Sequence, residues 1–309
     1  MRTENISFVS EQDGLVLDGI IIAAEKPKAV LQLAHGMCEH KERYIPFMEY
    51  MAGRGFACVI YDHRGHGRSV KADMDLGYFY ENGAEALVED IHQVMKETKV
   101  RFAGLPYILM GHSMGSLGVR CFIKKYDSEI DGLIVCGSPS ANDMADMGIK
   151  LIHFMKKFKG GHGKSKLVDG MVMGGFEKPF AKENLKNSWL STDRAIVEAY
   201  NADPHCGYSF TLNGYEALLT LMKDTYSKEG WNVTGKDLPI HFIAGAEDPC
   251  ITNKQKFKNA VQFMKDRGYS NVTSKLYDGM RHEILNEIDK EQVYADVAAF
   301  CENGKEREI

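Results

Sequence analysis

Tyr107-Ile108-Leu109-Met110-Gly111-His112-Ser113-Met114-Gly115 is the stretch on which the reading of the whole chain turns. A short apolar run, compatible with a buried strand, leads directly into the pattern G-x-S-x-G, and residues 113–126 beyond it suit a helix. Strand, sharp turn and helix form the context in which that pattern presents a serine nucleophile. The reason is steric. The turn holds the serine in a strained backbone conformation, and small residues two positions to either side relieve the crowding. The serine oxygen then stands at a helix N-terminus, where free N–H groups and the helix dipole favour developing negative charge.

The flanking sequence repeats this alternation. Short runs that are apolar at successive positions recur at 29–34, 57–61, 106–110, 133–136, 240–244 and 272–276. Such runs predict strands buried on both faces. Stretches suited to helices lie among them, at about 43–54, 81–100, 113–126, 254–267 and 290–302. Strand–helix alternation implies a parallel sheet with helices on both faces. At the N-terminus, Ile6–Val9 and 15–22 alternate apolar with polar residues around Gln12-Asp13-Gly14, which predicts an antiparallel hairpin. The predicted fold class is α/β: a mostly parallel sheet with that hairpin in front.

One interval breaks the rhythm. Residues 141–206 contain no convincing buried strand, and Gly160-Gly161-His162-Gly163 and Gly174-Gly175 mark joints. The interval reads as a cap inserted between two sheet strands, with 1–140 and 207–309 forming the core. Met144, Met147, Leu151, Met155 and Phe158 have helical spacing, with Lys150, Lys156, Lys157 and Lys159 on other faces. A cap helix packed on the core by that stripe is the expectation. A helix touching lipid is the alternative.

Bulk composition narrows the class further. The 309 residues are 44% hydrophobic and 26% charged, as in an ordinary globular protein. A formal charge of −5 offers no footprint for nucleic acid or an anionic membrane. No segment approaches the roughly 18 consecutive apolar residues of a membrane span, and the polar start is unlike a signal peptide. Seven scattered cysteines without a CxxC pair suit reduced thiols, so a cytoplasmic location is expected.

A serine hydroxyl is hardly ionised at neutral pH and needs a base. His282 follows the last predicted strand, in Tyr277-Asp278-Gly279-Met280-Arg281-His282-Glu283, where parallel sheets place their sites. The third member should be a carboxylate after the penultimate strand, and Gly245-Ala246-Glu247-Asp248-Pro249 follows Ile240–Ala244. Either Glu247 or Asp248 could serve; the turn and the proline favour Asp248, with its shorter reach. Asp278 is a rival by sequence proximity but better suits a turn cap. A tetrahedral oxyanion needs preorganised donors. The backbone N–H of Met114 is one candidate, and that of Met37, in the loop His35-Gly36-Met37-Cys38, is the other.

Other patterns fail. Gly163-Lys164-Ser165 ends like a phosphate loop, but Phe158 stands where the first glycine belongs. His282-Glu283 begins like a zinc-protease helix, yet Asn286 takes the second histidine's place. Asp62-His63-Arg64-Gly65-His66-Gly67 suits a structural turn better than a metal site. Neither a metal nor any other cofactor is expected.

Taken together, these residues resemble the monoacylglycerol lipase and lysophospholipase-like branch of the α/β-hydrolases, the serine aminopeptidase S33-type hydrolases. The likeness rests on His35-Gly36-Met37-Cys38-Glu39-His40 with Arg43-Tyr44, Asp62-His63-Arg64-Gly65-His66-Gly67-Arg68-Ser69, Gly111–Gly115, Gly245-Ala246-Glu247-Asp248 and His282-Glu283-Ile284-Leu285-Asn286-Glu287. Within the cap, the stretch from Leu190-Ser191 through Ala202-Asp203-Pro204 shares it, while about 144–186 does not match. The resemblance implies an α/β-hydrolase fold and hydrolysis of a long-chain carboxylic ester, a monoacylglycerol or lysophospholipid, through an acyl-enzyme on Ser113. It also implies an apolar tunnel supplied by the cap, which can touch a membrane surface transiently, and a polar end shaped by Glu39 and Arg43; a plain surface ion pair is the competing reading of those two. Cys38 departs from the family's usual glycine and Ser116 from a further glycine. Cys250 is expected near the site, with sensitivity to thiol reagents. Two other functions remain in view: a peptidase of the proline iminopeptidase type and a non-catalytic hydrolase-fold binding protein.

Overall fold

Fully apolar runs need cover on both faces, and the computed structural model, which describes residues 1–303, provides it. Strands β1 (Arg2–Val9) and β2 (Val16–Ala23) form the hairpin, paired from Arg2 with Ala23 to Val9 with Val16. Then follow β3 (Ala29–Ala34), α1 (Ile45–Gly53), β4 (Phe56–Tyr61), α2 (Gly83–Arg101), β5 (Tyr107–His112), α3 (Met114–Tyr126) and β6 (Gly132–Cys136). After β6 come α4 (Ala145–Lys159), α5 (Lys166–Met173), α6 (Arg194–Ala202) and α7 (Leu212–Tyr226). The chain ends with β7 (Ile240–Gly245), α8 (Lys254–Asp266), β8 (Val272–Tyr277) and α9 (Lys290–Asn303).

The eight strands form one sheet in the order β1-β2-β4-β3-β5-β6-β7-β8, antiparallel up to the β2–β4 pair and parallel from β4 onward. Every residue of β3, β4, β5 and β6 is buried. Their alternate side chains feed two separate cores. One lies under α2, α3, α7 and α8 and includes Leu87, Leu117, Leu218 and Phe257. The other lies under α1 and α9 and includes Phe47, Met51, Tyr294 and Val297. Each fully buried aliphatic or aromatic side chain contributes about 1.5–3 kcal/mol, so a strand read on both faces is anchored on both. Strand order reverses between β3 and β5, and a crevice forms where their following loops diverge.

Three expectations need correction. β8 is an edge strand with Thr273, Ser274 and Lys275 exposed, and is not buried on both faces. Helix α7 was not among the predicted helices, although Leu212, Tyr215, Leu218, Leu219 and Leu221 bury one side of it. In α4 the stripe Met144–Phe158 is not the packed face. Ala145, Gly148 and Ile152 are buried, with Met155 half-buried, whereas Met144, Met147 and Phe158 are exposed. The small residues win because α4 lies close on α7: a Cβ at Gly148 would stand 2.8 Å from Leu219 Cδ1.

Candidate active site

Ser113 is the single residue between β5 and α3, with φ 52° and ψ −117°. A non-glycine residue in such a conformation costs on the order of 1–3 kcal/mol and survives only where neighbours impose it. Its N–H is fixed by the Cys136 carbonyl at 2.9 Å. The glycines beside it have no room for a side chain. A Cβ at Gly111 would meet the Gly115 carbonyl at 2.4 Å, and one at Gly115 would meet the Ala34 carbonyl at 2.1 Å. The elbow thus presses against the end of β3, which brings the loop after that strand to the serine.

That loop contains Gly36 and Met37. The Gly36 N–H is engaged by Glu39 Oε1 at 2.6 Å. The N–H groups of Met37 and Met114 bond to no described residue, and both methionines line the cavity beside Ser113. Cys38 has φ 54°, in the left-handed region that favours glycine. This accounts for the family's glycine there. The cysteine is held by its neighbours: its carbonyl accepts from Tyr200 Oη at 2.9 Å and Gly207 N at 3.1 Å, and its thiol donates to the Tyr208 carbonyl at 2.8 Å.

His282 lies in the loop after β8, buried, with Nδ1 3.0 Å from Asp248 Oδ2. That bond puts the Nδ1 proton toward the carboxylate and leaves Nε2 as the basic face. Asp248 is buried and its other oxygen accepts from Cys250 N at 2.8 Å, whereas Glu247 is exposed and Asp278, also exposed, faces Lys254 Nζ at 3.7 Å. Of the three carboxylates, the structure brings Asp248 to His282. Cys250 Sγ is 3.9 Å from His282 Nε2. Gly137, with φ 55°, passes between the parts: a Cβ there would lie 3.3 to 3.4 Å from His282, Asp248 and His112.

Glu39 and Arg43 form no surface ion pair. The Glu39 carboxylate accepts from Gly36 N, Tyr44 Oη, His112 Nδ1 and Arg43 Nη1, and Arg43 grips Glu283 through two bonds of 2.6 Å. His112 Nε2 faces the His282 carbonyl at 3.2 Å. With acceptors on both ring nitrogens, His112 donates twice and is held as an imidazolium. Burial alone would lower its pKa, but the bond and charge of Glu39 raise it above the ordinary value. Burial pushes the Glu39 carboxyl up; His112 and Arg43 reverse this and hold it well below the usual range. The serine pattern contains His112 but gives no sign of this role, because its partners come from loops distant in sequence.

The Asp62–Gly67 stretch is a structural turn. Asp62 accepts from Lys41 N, Lys41 Nζ and Arg68 N, and a Cβ at Gly67 would collide with its carboxylate. Burial depresses His35 to about 4 and His66 to about 3, so both rings are neutral.

Ser113 and His282 open on a cavity of about 380 Å³. Its apolar wall comes from Met144, Val172, Met173 and Phe176 between β6 and α6, and from Leu218 and Met222 of α7. Trp189, whose ring is 5.0 Å from that of His282, was not foreseen; its carbonyl also accepts the His282 N–H. A serine elbow at the strand reversal, with a histidine–aspartate pair on the neighbouring loops, defines an α/β-hydrolase.

Comparison with known proteins agrees. The family model described as serine aminopeptidase, S33, matches residues 25–289, and the chain belongs to that family. A monoglyceride lipase homolog of monkeypox virus is 36% identical over 90% of each chain. A monoacylglycerol lipase of Mycolicibacterium smegmatis is 28% identical over 89% of this chain and 88% of its own. Among solved structures, a highly thermostable carboxyl esterase from Bacillus coagulans, in complex with glycerol, superposes with a TM-score of 0.90. It is 25% identical and covers 98% of this chain and 99% of its own. The protein is a carboxylic ester hydrolase. No helix among the described residues is long and apolar enough to cross a membrane.

Proposed function

We propose that this hydrolase cleaves monoacyl lipid esters, monoacylglycerols or lysophospholipids, through an acyl-enzyme on Ser113. The observation that carries the reading is the buried Asp248–His282 pair on the same cavity as the strained serine, with an apolar wall opposite. His282 Nε2 takes the Ser113 proton as the oxygen attacks the ester carbonyl. The Met37 and Met114 N–H groups receive the oxyanion, and the protonated imidazole then gives its proton to the departing alcohol. Water repeats the sequence on the acyl-enzyme, while Asp248 stays ionised and fixes the tautomer of His282.

The cap, residues 141–206, supplies the acyl wall in this reading. Glu39 and Arg43 shape the polar end as its framework, since the bonds of Glu39 are spent inside the protein. The same bonding speaks against an aminopeptidase. Glu39 and Glu283, the buried carboxylates on the cavity wall, are already paired with cations and poorly placed to hold a free amine. Exposed Phe154, Phe158, Leu167 and Met171, with Lys150, Lys157 and Lys166 near them, favour transient contact of the cap with a lipid surface. Free thiols at all seven cysteines suit a reducing, cytoplasmic setting.

The test pairs Ser113→Ala with a substrate panel. The variant should lose turnover by about 10⁴-fold or more and resist a fluorophosphonate probe while keeping its fold. Labelling of the variant at full stoichiometry would remove Ser113 from the mechanism. On wild-type protein, long-chain monoacylglycerols and lysophospholipids should outpace short p-nitrophenyl esters; the reverse order would refute the acyl tunnel.

A further inference from the structure

A second cluster of donor atoms joins the oxyanion loop to the segment that returns from α6. His40 follows Glu39 in that loop, and Asp203-Pro204-His205-Cys206 follows α6. One nitrogen of His40, one oxygen of Asp203 and the sulfur of Cys206 all lie within 4.8 Å of one another. His40 Nε2 is 2.9 Å from Asp203 Oδ2, while Nδ1 is 2.6 Å from Glu42 Oε2. His205 stands at the rim, with Nδ1 3.7 Å from Asp203 Oδ1 and its ring 6.0 Å from that of His40. Cys206 is buried, whereas His40 and Asp203 are partly exposed, so an ion has a path inward.

We propose that His40, Asp203 and Cys206 bind a zinc ion, with His205 turning in as the fourth ligand. An imidazole, a carboxylate and a thiolate make a donor set suited to tetrahedral zinc, and the sulfur discriminates against magnesium and calcium. A carboxylate on the far nitrogen of a ligating histidine orients the ring and raises its basicity, and Glu42 stands in that place. Glu42 and Asp203 flank the two nitrogens of His40, whose pKa is pushed up to about 11 against burial by bonds to Cys206, Glu42 and Asp203, and Lys41 meets Glu42 Oε1 at 2.9 Å; zinc therefore enters by replacing the proton on His40 Nε2 between two carboxylates. On binding, the proton at His40 Nε2 and the thiol proton of Cys206 leave to solvent, and no redox step is involved.

The position gives the ion a structural consequence. Tyr200 Oη, Gly207 N and the Tyr208 carbonyl all hold Cys38, the left-handed residue of the oxyanion loop. Zinc would pin the segment bearing those groups to His40, two residues further along the same loop. The site stands independently of the substrate proposed above.

The full chain, stripped of metal by chelator and dialysed, is titrated with zinc chloride against a chromophoric chelator. Cobalt chloride is used in parallel, because a thiolate–cobalt charge-transfer band reports sulfur ligation. One equivalent should bind at micromolar or lower concentration, with the cobalt band, and raise the melting temperature. Cys206→Ser should abolish the band, and the mild surface change His205→Ala should weaken zinc about tenfold or more. Asp248, Cys250 and His282 also place donor atoms within 4.8 Å of one another, so Cys250→Ser is the control and should keep the band. No uptake at micromolar zinc overturns the site. So does a band that survives Cys206→Ser or disappears in Cys250→Ser.

Discussion

The floor of the cavity and its cap obey different physical rules. On the floor, the loops after β3, β5, β7 and β8 are tied together by buried charges: Glu39, Arg43, His112 and Glu283 share one bonded network, and His282 is held at its ring by Asp248 and at its backbone by His112. On the cap, α4 and α5 bury only Ala145, Gly148, Ile152 and Val168 and turn phenylalanines and methionines outward. Those bonds over-determine the positions of the side chains around Ser113. The cap is held instead by close packing of the small face of α4 on α7, with few buried side chains of its own.

The sharpest break of this comparison is at the floor. Asp248→Asn should keep the fold but present the wrong tautomer of His282, lowering turnover by about 10⁴-fold. Glu247→Gln, one residue earlier and exposed, should change it little. Equal losses in the two variants, measured as kcat on one ester, would deny that Asp248 has the special place.

Glu39→Gln probes the network instead of the chemistry. Removing one charge from a buried set leaves its partners uncompensated, at a cost of about 3–5 kcal/mol. The pH dependence follows from His112. Its pKa, opposed by burial but raised by Glu39, lies above the unfolded value of 6.5, so its contribution is complete below about pH 6.5 and fades as pH rises through the folded pKa. Melting temperature followed across that window should fall with pH in the wild type and be flatter in Glu39→Gln. Parallel curves would mean that His112 carries no linked proton.

How much of this was legible in the sequence follows the same division. Ser113 announces itself because its constraints are local: Gly111, Gly115 and the adjoining strand lie within a few positions. His282 and Asp248 are readable because strand order puts their loops at one sheet edge. The imidazolium at His112 and the cluster at His40 are not, since Glu39 lies 73 positions from His112 and Asp203 lies 163 from His40. The cap misled for another reason. Periodicity marks an apolar stripe but not which stripe is covered, and at α4 close approach to α7 selected alanine and glycine over methionine. Cys38 shows how a departure can be absorbed: a residue poorly suited to φ 54° is held there by three hydrogen bonds.

If the outward phenylalanines serve lipid contact, the cap can be altered without touching the floor. Phe154→Asp with Phe158→Asp should raise KM for monoacylglycerol in vesicles about 100-fold or more, because each of the two phenylalanines, when buried in lipid, contributes about 1.5–3 kcal/mol. Hydrolysis of dissolved p-nitrophenyl acetate should stay within about twofold of wild type. An equal loss on both substrates would assign the pair to folding and not to a surface.

The smallest effect lies where floor and cap meet, at Cys250. Its thiol is close to His282, but proximity is not reactivity. Burial, reinforced by the Asp248 charge and a hydrogen bond to it, pushes the thiol pKa well above 9.0, so the thiolate is scarce at neutral pH. Cys250→Ala should leave kcat within about twofold, since no step of the acyl transfer needs the sulfur. Inactivation by a neutral maleimide should be slow, accelerate with rising pH as thiolate forms, and vanish in the variant. A rate independent of pH would mean that His282 draws the thiol proton, which would couple Cys250 to the base and turn a neighbour into a competitor for the acyl group.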